Sequence, residues 1–254
     1  MNPWLGQLKK EYRLGKGGAG ALGALIALFL YLGLGVYTAW RMGKPETFFA
    51  FCSVAVMIHV VYMAGYLCVS YFLEHKTMHL WLQCPLSVSK LLLAKLVNGF
   101  GALALSLFIT SVVTLIAGTM VMDVFELNPD MTWPDVIYIG TFPVIHILLI
   151  SFYIGIGITF LWAIYLVTTK TLGKISGWVI GLGVFFFGPW ILAKWEDTKL
   201  FDALFIWGKV NLKYNDFVYG IFKHVYVGYY FYHLLLALLL FLAASWLIER
   251  KVEV

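Results

Sequence analysis

Charged residues fall into short clusters along this chain, and between them lie six stretches with no Asp, Glu, Lys or Arg: 17–40, 47–73, 96–122, 136–169, 175–193 and 224–248. A hydrocarbon core roughly 30 Å thick takes about 20 residues of α-helix, because each backbone N–H and C=O must find its partner inside the segment. Each stretch reaches about that length, so the pattern predicts six membrane-spanning helices. Segments such as 22–35 (LGALIALFLYLGLG) and 234–247 (LLLALLLFLAASWL) are apolar all round. They lack the alternation of a transmembrane β-strand, which excludes a barrel.

The connecting segments have patterns of their own. In residues 1–16, Trp4, Leu5, Leu8 and Tyr12 recur at helical spacing opposite Lys9, Lys10 and Arg13, which predicts an amphipathic helix lying in the membrane interface. Glycines at 15, 17, 18, 20 and 23 then open the first span, as a site of close approach or as a flexible linker. After the second span, residues 74–95 read as a short amphipathic helix stopped by Pro85. Ser87 is placed to cap the next helix, and Leu91 to Leu93 carry the chain back into the membrane. The long run 136–169 predicts a fourth helix tilted, or broken near Pro143. Gly173, Gly177 and Gly181, four residues apart, predict a small-residue packing face on the fifth helix. Residues 188–190 (Gly-Pro-Trp) end or kink that helix, and 195–224 mix aromatic and charged residues as short helices dipping into the outer interface would. Tyr226, Tyr229, Tyr230 and Tyr232 predict an aromatic belt at the start of the last span.

Composition agrees with a membrane solvent: 62% of residues are hydrophobic and 12% charged, and mean hydropathy is +0.87. The net charge of +5 lies beside the spans, which favours anionic lipid over nucleic acid as partner. Lys9, Lys10, Arg13 and Lys16, then Lys76, Lys90 and Lys95, then Lys170 and Lys174, then Arg250 and Lys251 all fall on one side of a six-span topology. The other side carries Arg41, Lys44 and an acidic loop with Asp123, Glu126, Asp130 and Asp135. Both termini are therefore expected in the cytoplasm of a bacterial cell. The lysines at 194, 199, 209, 213 and 223 oppose this assignment, offset by Glu196, Asp197, Asp202 and Asp216.

Candidate chemistry is sparse. Cys52, Cys68 and Cys84 lack any partner at metal-ligand spacing and read as small buried hydrophobes. Gly173-Lys174-Ile175 lacks the Ser or Thr and the upstream glycine of a phosphate-binding loop. Ser87 and Lys90 match a nucleophile–base spacing without a companion motif, so Ser87 reads as a cap. His59, His146 and His233 lie within spans, where a polar group is either functional or hydrogen-bonded to a neighbouring helix. No Asp, Glu, Lys or Arg is expected deep in any span, so whatever drives the protein acts from outside the membrane.

Six spans, a basic interfacial helix at the start and the segment FLEHKTMHLWLQCPLSVSKLLLAKL together resemble the type-2 permeases of ATP-binding-cassette (ABC) exporters. The resemblance implies an all-α integral membrane protein with an N-terminal interfacial helix, a cytoplasmic coupling helix and short extracellular helices between helices 5 and 6. It implies that Glu74, His75, Lys76, His79, Trp81, Pro85 and Ser87 contact a separate ATPase subunit that binds ATP and Mg. It further implies pairing of two permease chains, as homodimer or with a paralogue, through a face that includes Gly173, Gly177 and Gly181. The chain itself would hold no cofactor, no metal and no catalytic site, and its cargo would be hydrophobic or amphipathic, such as a toxin or antimicrobial peptide. Two other classes stay open: an integral-membrane protease or lipid transferase using His59 or His146, and a non-transporting immunity or sensor protein.

Overall fold

A computed structural model describes residues 3–15, 21–75, 86–121, 133–210 and 225–252. Helices dominate: α1 (Pro3–Gly15), α2 (Ala21–Met42), α3 (Pro45–Ile58), a 3-10 turn (His59–Val61), α4 (Tyr62–His75), α5 (Val88–Thr119), α6 (Trp133–Leu172), α7 (Lys174–Glu196), α8 (Lys199–Phe205) and α9 (Val227–Lys251). Two strands of two residues, β1 (Lys209–Val210) and β2 (Val225–Tyr226), pair antiparallel between α8 and α9.

Among the described residues, six helical segments are long and apolar enough to cross a membrane: Leu22–Met42, Pro45–Glu74, Val88–Thr119, Gly140–Leu172, Lys174–Glu196 and Val227–Lys251. The protein is thus a multi-pass α-helical membrane protein. The third of these begins at Val88, earlier than charge alone predicts, which takes Lys90 and Lys95 into the helix. The fourth is not broken: α6 runs through Pro143, giving up one backbone hydrogen bond. Likewise α7 continues through Pro189 to Glu196.

The turn between the first two spans follows from local chemistry. The Lys44 N–H donates to the Ala39 carbonyl at 3.1 Å and the Gly43 N–H to Trp40 at 3.3 Å, closing the α2 C-terminus in a Schellman arrangement. Gly43 sits at φ +63, where a side chain would be strained. Pro45 then opens α3, its missing N–H costing nothing at a helix start.

By backbone packing the chain forms two units, residues 1–86 with 93–155, and residues 87–92 with 156–254. In the first, α2 and α3 pack along their length, with Leu32, Cys52, Ala55 and Ala117 buried among Leu28, Tyr31, Phe48, Phe49 and Val113. A methyl group on Gly35 would meet Phe51 Cβ at 2.8 Å, so the absence of a side chain there sets how closely the two helices approach. In the second, fully buried Phe201 on α8 meets Tyr229 and Tyr232 of α9 edge to face, at 5.4 and 4.9 Å. Tyr232 is thereby part of a packed cluster at the start of α9.

Candidate functional site

The densest polar chemistry among the described residues lies where α1, α4 and α5 meet. Lys95, fully buried, directs its ammonium at Glu74 Oε2 (2.7 Å), Glu11 Oε2 (2.9 Å) and Ser70 Oγ (2.8 Å). Its three N–H donors thus meet three acceptors. The remaining Glu74 oxygen accepts from Lys10 Nζ at 2.8 Å, and the remaining Glu11 oxygen from Gln7 Nε2 at 2.8 Å. The Tyr71 ring lies 5.7 Å from the Lys95 ammonium, and Asn98 Nδ2 donates to the Leu8 and Ala94 carbonyls at 3.3 and 2.9 Å. The result is an alternating chain Lys10–Glu74–Lys95–Glu11–Gln7 with no net charge, across three helices. Of its charged members only Lys10 has substantial solvent access.

Lys95 and Glu74 are thus buried charges near span ends, Glu74 closing the second span and Lys95 lying seven residues into the third. Counting uncharged residues puts Lys95 outside the third span, whereas the helix that contains it starts seven residues earlier. Glu11 is the one acid among the first sixteen residues. With Gln7 one turn before it, it forms the buried face of α1, while Leu5 and Tyr12 stay exposed. The signal for this face was present: an isolated acid on an otherwise basic helix, four residues from a glutamine.

Burial pushes the Glu11 carboxyl above its usual 4.5, and Glu74 adds to that, while Lys95 and Lys10 oppose it. A carboxyl raised in the folded state binds its proton more tightly there than when unfolded. Its contribution to stability is then greatest in acid and is lost as pH climbs from 4.5 through the raised native value. Unfolding in detergent, followed across that window, should show this falling slope. In Glu11→Gln it should be absent.

Of the predicted ATPase contacts, Glu74 is held in this chain with its carboxylate turned inward, and His75 ends α4. Lys76, His79, Trp81 and Pro85 lie outside the described residues. Ser87 immediately precedes α5, and its carbonyl accepts from the N–H groups of Lys90 and Leu91 at 3.0 and 3.2 Å. Its hydroxyl bonds Ser89 Oγ at 3.1 Å.

The three glycines of the predicted pairing face have separate roles. Gly173 precedes α7 with φ +89 and makes the turn after α6. Gly177 abuts Thr169 and Tyr165 of α6, too closely for a side chain, whereas a side chain at Gly181, as at Gly173, would meet open space. Of the cysteines, Cys52 is buried but Cys68 is exposed on its helix, against expectation, and Cys84 lies outside the described residues.

Two of the three intramembrane histidines have hydrogen bonds that show how they are held. His59 is buried, with Nδ1 2.7 Å from the Ala55 carbonyl and Nε2 2.9 Å from Ser106 Oγ on α5. A carbonyl only accepts, so Nδ1 carries the proton and the Ser106 hydroxyl donates to Nε2. His146 Nδ1 donates to the Phe142 carbonyl at 2.8 Å. No cluster of three or more metal-ligating side chains occurs among the described residues. No family model matches the sequence, and neither a curated protein nor a solved structure matches it.

Proposed function

We propose that this chain is the permease subunit of an ABC exporter in the bacterial cell membrane, both termini in the cytoplasm. It moves a hydrophobic or amphipathic cargo outward on ATP hydrolysed, with Mg, by a partner subunit. The observation that carries this reading is the buried ionic chain. Glu74 and Lys95 flank the polar segment 75–87, and both are anchored to α1. A segment that transmits force from an external motor needs a stiff base, and buried charge pairs are directional where apolar contacts are not. A second copy or a paralogue completes the path, and the Gly181 side of α7, where a side chain would meet nothing in this chain, is the pairing surface in this reading.

The test has two arms. In a background with Cys52 and Cys68 replaced, a membrane-impermeant maleimide should label Cys84 in inside-out vesicles and leave it unlabelled in right-side-out ones. Labelling only from outside overturns the reading. In the second arm, inside-out vesicles holding the chain and its ATPase take up a fluorescent amphipathic peptide with ATP. Trp81→Ala should cut the rate at least tenfold, and Gly181→Leu should abolish pairing while leaving the single chain folded. A protein that binds the peptide equally with and without ATP is a sensor or immunity protein instead.

A further inference from the structure

The second span is not one helix. Its α-helical bonding stops at Ile58, tightens to a 3-10 turn over His59–Val61 and resumes at Tyr62. Short 3-10 segments inside a helix have poorer hydrogen-bond geometry and mark hinges or strain. Neither proline nor glycine lies in this turn, so another cause must act.

His59 opens the turn. Its ring nitrogen takes the Ala55 carbonyl, the acceptor its own amide would use in an α-turn. The His59 amide donates to Val56 instead, and the Tyr62 amide to His59, both one residue short of the α-helical register. Two serines from other helices hold the distortion. Ser106 on α5 fixes the far side of the imidazole, and Ser151 on α6, fully buried, accepts the Met63 N–H at 3.2 Å.

The two halves that meet at this turn have different anchors. The α3 half packs on α2 and the far end of α5, through Cys52, Ala55, Leu32 and Ala117. The α4 half is tied by Glu74 to Lys10 and Lys95, and its Met63 and Leu67 lie where a methyl on Gly155 would meet them at 3.1–3.2 Å. We infer that the second span is a two-part lever hinged at His59–Val61, with the Ser151 and Ser106 hydroxyls as catches that hold its 3-10 state. Motion at the hinge releases both serines and leaves the Met63 N–H without its acceptor until the His59 carbonyl takes it. The inference requires no ATPase and stands apart from the exporter reading.

Amide hydrogen exchange on the full chain in lipid nanodiscs tests it. Ser151→Ala should raise exchange at Met63 at least tenfold and leave residues 50–56 and 66–72 as protected as in the wild type. A change of less than twofold at Met63 overturns the hinge, and so does an increase spread evenly along the span, which reports general loosening. If Ser151→Ala does not accumulate folded, the wild-type profile decides: a local maximum of exchange over 59–63 supports the hinge, and even protection across 56–70 overturns it. Nitroxides at Val54 and Phe72, both exposed, give a second readout. Ser106→Ala should broaden their distance distribution, and an unchanged distribution counts against the catch.

Discussion

Lys95→Met should lower the unfolding free energy by roughly 3–5 kcal/mol, the usual cost of removing one partner from a buried ion pair. The methionine fills a similar volume, so the loss reports charge rather than packing. It leaves the carboxylates of Glu11 and Glu74 buried together with Lys10 as their remaining cation, and Lys10 is 46% exposed. Adding Glu11→Gln to Lys95→Met should restore most of the stability, because Glu74 keeps Lys10 and the neutral amide that replaces the Glu11 carboxylate brings no charge. A double variant more stable than the single one is the signature of a closed charge cluster. Lys10→Ala, by contrast, should cost about 1 kcal/mol or less, since an exposed cation is screened by water. Denaturant titration in detergent micelles measures all of these. A Lys95→Met protein within about 1 kcal/mol of wild type would mean that water reaches the cluster.

The second large effect is expected at Gly228, in the first turn of α9. A methyl group there would run into the backbone carbonyl of Phe205 and the Trp207 indole nitrogen, and backbone cannot rotate aside as a side chain can. The same turn carries the Val227 N–H to Gly208 (3.1 Å) and the Gly228 N–H to Trp207 (3.3 Å). Gly228→Ala should therefore separate α8 and the short β-pair from α9 and destabilise by about 1–3 kcal/mol. Gly181→Ala is the control. Its methyl meets open space, and alanine should gain up to about 1 kcal/mol in helix propensity. Thermal unfolding followed by Trp207 fluorescence distinguishes the two. Equal behaviour of both variants would place α8 away from α9.

Much of the architecture can be read from charge spacing alone. A run without Asp, Glu, Lys or Arg long enough to cross a bilayer has few alternatives to a helix, so six spans follow from the pattern. The ends of those helices do not, because a lysine can sit inside a helix when partners exist for it. Lys95 is such a case, and its partners Glu11 and Glu74 are 84 and 21 positions away (95 minus 11 and 95 minus 74). No local pattern joins residues so far apart. The glycine series was legible as periodicity, yet only the packed helices separate a turn at Gly173, a close approach at Gly177 and an open face at Gly181. His59 was legible as a costly polar residue in an apolar run, and its bond to Ser106 at the start of a 3-10 turn was not.

By itself, then, the order of residues determined the solvent, the number of crossings and the helical class, because the hydrocarbon core penalises each unpaired backbone group and each lone charge locally, segment by segment. Tertiary structure alone decided which charges neutralise one another and what holds the 3-10 turn of the second span. Those depend on the 2.7–2.9 Å contacts that Lys95 makes with Glu74 and Glu11, and on Ser106 and Ser151 meeting His59 and Met63. Such contacts exist once helices distant in the chain have packed.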